Sequence, residues 1–215
     1  MQGNGERATR RGRPGYDLGR LLEVTVRVFN ERGYEGTSME DLSHRLGITK
    51  SAIYHHVSGK DELLRLSVNR ALDALFAVLE EEESATGPAI HRLEHVVRRS
   101  VEVLIAELPF VTLLLRVRGN TRVERQALAR RREFDRFVTD LVKQAVAEGS
   151  VRPDVDPALT ARLLFGMVNS ISEWYRPNRG MRSAEIADAV TKVAFSGLRT
   201  PTEVLSSDPH SNHQQ

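Results

Sequence analysis

The chain has 215 residues, 40% hydrophobic and 28% charged, with a formal net charge of +2 and no cysteine. It is long enough to bury a core as one large domain or two small ones, while the missing cysteines exclude disulfides, thiolate metal sites and cysteine nucleophiles and fit a reducing, cytoplasmic setting. No apolar run reaches the roughly 18 residues of a transmembrane helix, and so small a net charge excludes a general polycation, leaving nucleic-acid affinity to local placement.

Residues 1–15 read as a flexible basic arm, with Arg7, Arg10, Arg11 and Arg13 against Glu6 and no apolar stretch of a secretory signal. Leu18, Leu21, Leu22, Val28 and Phe29 follow helical spacing until Gly33 stops them. Thr37 and Glu40 form a T-x-x-E capping box that opens a second helix with one buried face, Met39, Leu42 and Leu46, ended by Gly47. Thr49 caps a short third helix with Ile53 and Val57 inward. Ser58 and Asp61 open a long helix through Leu63, Leu64, Leu66, Val68, Leu72, Leu75, Phe76 and Leu79, and the acidic run Glu80 to Glu83 reads as its solvated end. Gly87 and Pro88 break the pattern. Helices are expected over 89–107, 110–117, 122–148, 156–175 and 183–198, interrupted at Pro109, Gly119 with Asn120, Gly149 with Pro153, and Pro177 to Gly180. Little period-two alternation occurs, so the expected fold class is all-α, and residues 201–215 are expected to be disordered.

A helix-turn-helix needs an anchoring helix, a tight turn and a second helix whose exposed side reaches base edges. Met39 to Leu46 would anchor, Gly47 and Ile48 would turn, and Lys50 to His56 would read. Lys50 can donate to guanine acceptors and Ser51 can pair with several bases. Thr37, Tyr54, His56 and Lys60 suit phosphate oxygens, which set register without reading sequence. The bland alternative is an ordinary short helix with a polar face.

Gly33 and Tyr34, Thr37 to Met39, Asp41 and Leu42, Gly47 and Ile48, Lys50, Ile53 and Tyr54, His56 and Val57, and Lys60 to Leu64 resemble the DNA-binding domain of the TetR family in type and spacing. The resemblance implies a helix-turn-helix three-helix domain over 16–62 and a helical ligand-binding and dimerisation domain over 63–200. It places Thr37, Tyr54, His56 and Lys60 on phosphates and Lys50, Ser51 and Ala52 on bases. Thr49 and His55 complete the expected DNA-binding set, His55 at a position often aromatic in the family. Arg11-Gly12-Arg13-Pro14 resembles the core of an AT-hook, whose arginines enter narrow A·T minor grooves; the alternative is a solvated basic tail adding non-specific affinity.

The helix over 156–175 is apolar on two sides, with Leu163, Met167, Ile171 and Trp174 on one stripe and Leu164, Val168 and Tyr175 on the next. The last helix offers Ile186, Val190 and Val193 beside small Ala187, Ala189, Ala194 and Gly197. TetR-like proteins dimerise through their last two long helices, so the resemblance implies a homodimer on a palindromic double-stranded operator. Its reading helices would lie about 34–36 Å apart. Candidate effector contacts are Phe110, Leu114, Arg118, Phe134, Phe137, Met167, Asn169, Ser170 and Trp174, an apolar lining with a few polar groups. The stretch from Phe165 to Asn169, then Trp174 to Pro177, Gly180, Glu185 to Asp188, and Gly197 with Leu198 is similar to TetR-type repressors of fatty-acid, phenylacetate and sterol-ring catabolism, which respond to acyl-coenzyme A thioesters. That implies a repressor released by a small molecule, with the helix beginning near Asp61 moved by the ligand; the alternative is an efflux regulator responding to a hydrophobic compound.

An enzyme reading has thin support. His91, Glu94 and His95 match H-x-x-E-H, the inverted zinc-peptidase motif, without an evident third ligand. Gly3-Asn4-Gly5-Glu6-Arg7-Ala8 fits G-x-G-x-x-A but follows no strand. Neither a P-loop nor G-x-S-x-G occurs. No catalytic residue, metal or cofactor is expected, and no membrane partner.

Overall fold

The computed structural model describes residues 17–177 and 180–198; the arm, with Arg11 and Arg13, and the tail beyond 198 lie outside the described residues. The described helices are α1 (Leu18–Arg32), α2 (Met39–Leu46), α3 (Lys50–Tyr54), α4 (Lys60–Ala77), α5 (Glu82–Ala85), α6 (Ala89–Ala106), α7 (Leu108–Arg116), α8 (Arg122–Ala147), α9 (Pro157–Trp174) and α10 (Ser183–Leu198). Among the described residues there is no sheet. Two of the boundary differences from expectation have a clear physical reason. Pro109 lies inside the first turn of α7, where a missing N–H costs nothing because that turn has no acceptor for it. The long fourth helix ends at Ala77 and tightens into a 3₁₀ turn, Val78–Glu80, ahead of α5.

The helices form two compact units. The first holds α1 to α3, residues 60–70 of α4 and residues 109–127. Leu21, Val26 and Phe29 of α1, Leu42 and Leu46 of α2, Ile53 of α3, and Leu63, Leu64 and Val68 of α4 are buried there. Local chemistry sets the helix starts. Asp17 accepts the Arg20 amide at 2.7 Å to open α1. The capping box of α2 sits one residue later than the T-x-x-E reading: Ser38 Oγ accepts the Asp41 amide at 3.1 Å and Asp41 accepts the Ser38 amide at 2.9 Å. Thr37 is instead buried, its hydroxyl donating to the Gly33 carbonyl at 2.7 Å. Ser58 pairs through its amide and hydroxyl with Glu62 rather than Asp61, at 2.5 and 2.6 Å.

Two glycines make the turns of this unit. Gly47 closes α2 at φ 66°, a left-handed conformation that turns the chain into Thr49. Gly36 has a negative or extended φ, but a Cβ there would stand 2.6 Å from the Arg32 carbonyl oxygen. Gly36→Ala should therefore cost more than Gly47→Ala. Expected losses are on the order of 1–3 kcal/mol for the backbone clash and about 1 kcal/mol for the left-handed position. Thermal unfolding of the two variants measures the order, and the reverse order would contradict it.

The second unit holds residues 71–108 and 128–198 of the described chain. Helix α6 packs on α5, α9 and α10. Leu93, Val97 and Val101 of α6, Leu164, Val168 and Ile171 of α9, and Ile186, Ala187 and Phe195 of α10 are buried. Phe134 of α8 lies edge-on to Phe165 at 5.1 Å and to Phe76 at 5.9 Å between ring centroids.

The acidic run is not a solvated helix end throughout. Glu81 takes a forked contact from Arg99 at 2.9–3.0 Å and meets His95 Nε2 at 2.7 Å. The Arg99 hydrogen bonds, with a smaller share from His95, hold its carboxyl below the usual range. A lowered carboxyl stabilises the fold above the unfolded value, about pH 4.3 for glutamate, and the contribution is lost as pH falls through the lower folded value. Glu81→Gln should cost about 1–2 kcal/mol near neutrality, and the melting-temperature gap to the parent should close below about pH 4. A gap unchanged down to about pH 3 would contradict this.

Candidate nucleic-acid interface

Helix α3 is too short to hold itself and is carried by its surroundings. Thr49 Oγ1 accepts the Ala52 amide at 3.2 Å, the Gly47 turn sets its entry, and fully buried Ile53 pins it to the core. With one side pinned, Lys50, Ser51, Tyr54, His55 and His56 are all exposed, and Ala52 is half-buried. The face therefore presents an ammonium, two hydroxyls and two imidazoles together. Such groups can donate to guanine acceptors and to phosphate oxygens.

Lys50 forms an ion pair with Glu40 of α2, and Glu40 also lies 3.4 Å from His44 Nε2. The Glu40 hydrogen bond raises the Lys50 ammonium, and Lys50 lowers the Glu40 carboxyl. Lys60 is half-buried, donating to the Tyr34 carbonyl at 3.0 Å with its Nζ 4.3 Å from the Tyr34 ring centroid. Tyr34 donates its hydroxyl to Asp61 and stacks edge-on to Phe29 at 5.3 Å. Burial first, then Asp61, raises the Tyr34 phenol. Lys60 and Tyr34 thus tie the start of α4 to the turn after α1. Thr37, expected on phosphate, is buried with its hydroxyl donating to the Gly33 carbonyl.

The sequence reading missed how α7 is held. Asn30 Nδ2 donates to the Pro109 carbonyl at 2.8 Å, and Arg116 donates to the Asn30 carbonyl at 2.7 Å. Buried Glu124 gathers the Gly119 and Asn120 amides at 2.8 and 2.7 Å, closing the loop into α8. Asn30, Arg116, Asn120 and Glu124 border an open cavity of about 340 Å³ in the first unit. A carboxylate four residues after Gly119-Asn120 was the available signal.

The candidate effector contacts are drawn from both units. Phe110, Leu114 and Arg118 fall in the first unit and the other six in the second. Phe110 is buried under the Arg70 guanidinium, 4.2 Å from its ring centroid, Leu114 is buried and Arg118 is exposed. Phe134 is core, and Phe137, Met167 and Asn169 are half-buried. Ser170, its hydroxyl donating to the Met167 carbonyl at 2.8 Å, and Trp174 stand on the exposed face of α9. Trp174 borders a shallow surface cavity of about 170 Å³ with Tyr175, Arg176 and Met181. Ser100 of α6, which sequence reasoning passed over, is 2% exposed and its hydroxyl has no hydrogen-bond partner. His91 is exposed while His95 is engaged by Glu81, and among the described residues no group of three or more His, Cys, Asp or Glu is placed to hold a metal. No helix among them is long and apolar enough to cross a membrane.

Residues 21–66 match the model for bacterial regulatory proteins of the tetR family, and residues 86–198 match the tetracyclin repressor-like C-terminal domain. A TetR transcriptional regulator from Streptomyces coelicolor A3 is 62% identical, covering 84% of this chain and 91% of that one at a TM-score of 0.79. The chain belongs to the TetR family. The transcriptional repressor KstR2 of Mycobacterium tuberculosis is 25% identical over 84% of this chain and 92% of its own. AibR, solved with isovaleryl coenzyme A and operator DNA, is 27% identical over 81% of this chain and 96% of that chain, at a TM-score of 0.71. As a TetR repressor the protein binds double-stranded operator DNA, takes a small-molecule effector and forms a homodimer.

This TetR regulator exposes an apolar stripe on α9. Leu159 is 52%, Leu163 63% and Trp174 49% exposed, with Gly166 and Ser170 also exposed between them. The spacing puts all five on one helical face. Ile171, expected beside Leu163 and Trp174, belongs to the inward set with Leu164 and Val168 because the pitch turns it toward α6. On α10, Val193 is 69% exposed with Ala189 and Gly197 on the same side, while Ile186 and Ala187 pack inward.

Proposed function

We propose that this protein is a cytoplasmic TetR repressor that leaves a palindromic operator when an acyl-coenzyme A thioester binds its C-terminal domain. The observation that carries the reading is the likeness to AibR, seen with both isovaleryl coenzyme A and operator DNA. Lys50, Ser51 and Ala52 face bases, and Tyr54, His55 and His56 meet phosphates. Thr49 caps the reading helix, while Thr37 and Lys60 fix the turn after α1, Lys60 tying it to the start of α4. The exposed faces of α9 and α10 pair across the dimer. The buried, unpartnered Ser100 hydroxyl of α6 is a donor for a thioester carbonyl. Helix α4 runs from the first unit into the second, so effector binding can change the bound and unbound states unequally along one continuous helix. The protein acts by binding alone; its relatives are transcriptional regulators, and the His95 imidazole is engaged by Glu81.

The test is release of a footprinted operator, followed by fluorescence anisotropy, across short, branched and ring-derived acyl-coenzyme A thioesters. Release by at least one at micromolar concentration is expected, with none by free coenzyme A. Tight thioester binding without loss of operator affinity would overturn the reading, and release by hydrophobic efflux substrates alone would favour an efflux regulator.

A further inference from the structure

A buried carboxylate is ordinarily paired with a cation, because desolvating an unpaired charge is costly. Glu124, on the first turn of α8, is 7% exposed, yet it forms no ion pair among the described residues. Closing the loop explains one of its oxygens only. The Arg118, Gly119 and Asn120 amides all donate to Oε2, and Oε1 accepts no hydrogen bond among the described residues. Asn30 repeats the pattern: its Nδ2 donates to the Pro109 carbonyl, while its Oδ1 is buried without a partner. Both residues border the first unit's cavity, whose volume of about 340 Å³ falls among those of small-ligand sites. Phe29, Leu64, Leu113 and Val117 give it apolar walls, and exposed Glu35 adds a second carboxylate. Burial and Asp61 are the larger causes of the raised Tyr34 phenol, but Glu35 and Glu124 add to them, so both acids act on this space. Two arginines without carboxylate partners stand on the same cavity. The Arg118 guanidinium makes no hydrogen bond or ion pair among the described residues, and that of Arg116 donates to the Asn30 carbonyl.

The two vacant acceptors call for a donor, the buried carboxylate for a cation, the arginines for an anion and the walls for hydrocarbon. We propose that this cavity is a second small-molecule site that takes an apolar α-amino acid as its zwitterion: ammonium on Glu124 and Asn30, carboxylate on Arg118 and Arg116, side chain against the apolar walls. An ammonium carries three donors, enough for both acceptors, and charge-assisted bonds of this kind are about twice as strong as neutral ones. The site lies wholly in the first unit and does not depend on the thioester reading, which concerns the C-terminal domain.

The test titrates the full-length protein, without DNA or thioester, with leucine and two analogues of it. One is 3-methylbutylamine, which lacks the carboxylate, and the other is 4-methylpentanoate, which lacks the ammonium. Calorimetry should give leucine a Kd of about 0.01–1 mM, as suits so small a ligand, with both analogues at least about ten-fold weaker. The melting temperature should rise with leucine concentration, as for any ligand of the native state. Glu124→Gln keeps an oxygen for the loop amides and removes the charge, so it should weaken leucine by about ten-fold or more. If Glu124→Gln does not melt cooperatively, Arg118→Ala decides, since that exposed side chain has no partner to lose: leucine should weaken about ten-fold and 3-methylbutylamine should not change. No saturable binding of leucine, valine or phenylalanine at about 10 mM, or parent affinity for leucine in both variants, would overturn the site. Equal affinity for leucine and 3-methylbutylamine would overturn the amino-acid assignment and leave a site for amines.

Discussion

Leu163→Asp is expected to split the dimer and to weaken operator binding by about 10²–10⁴-fold. Leu163 is 63% exposed on α9, in line with Leu159, Gly166, Ser170 and Trp174. A lone exposed leucine needs no explanation, but an apolar stripe along one helix marks an interaction surface. If the stripe packs on its copy about a two-fold axis, each substitution introduces two facing carboxylates into an apolar seam, where desolvation penalises both. Two reading helices joined in one dimer engage successive half-sites, and the second engagement is intramolecular; breaking the joint forfeits that effective concentration, commonly a factor of about 10²–10⁴. Sedimentation should show the chain mass of 24.2 kDa in place of twice that value. Val193→Asp on α10 should act the same way, and retention of the dimer by both variants would move the interface elsewhere.

Phe134→Ala is expected to be the most damaging core substitution, at about 3–5 kcal/mol. Phe134 is 2% exposed and is the shared partner of two edge-on ring contacts, with Phe76 and Phe165. Removing the ring takes away its transfer energy, leaves a cavity between side chains of three helices, and deletes both aromatic contacts, each worth about 0.5–1.5 kcal/mol beyond area burial. Against a typical domain stability of about 5–15 kcal/mol this is a large fraction. Phe134→Leu keeps most of the volume and should cost less than half as much. Urea unfolding of the two variants measures the ratio, and equal losses would mean that ring geometry, not volume, is what the site requires.

The helix-turn-helix was legible because its determinants are local. Gly47, Thr49 and the spacing of Leu42, Leu46 and Ile53 specify a stop, a start and a buried side within a dozen residues, and the structure uses each of them so. Where two neighbouring residues offered similar chemistry the reading slipped by one. Thr37 with Glu40 and Ser38 with Asp41 both fit a cap, and the Gly33 carbonyl decided between them by accepting the Thr37 hydroxyl. That choice also left Glu40 beside Lys50 rather than folded back on its own helix.

The effector contacts were less legible, since a pocket is assembled from side chains distant in sequence. Phe110 and Phe134 look alike as isolated aromatics, yet they fall in different units. Glu81 looked like one of four solvated acids until Arg99 and His95, one helix later, closed on it.

By itself the sequence determined the longer helices, their order, the reading motif and the family, because capping, glycine turns and apolar period act over a few residues. Only the tertiary structure decided which apolar stripe of α9 faces inward, that Thr37 and Lys60 bond to the turn after α1, and that Glu40 holds Lys50. Each of those depends on the rotation of one helix against another, and that rotation is set by how side chains far apart in the chain fill a common core.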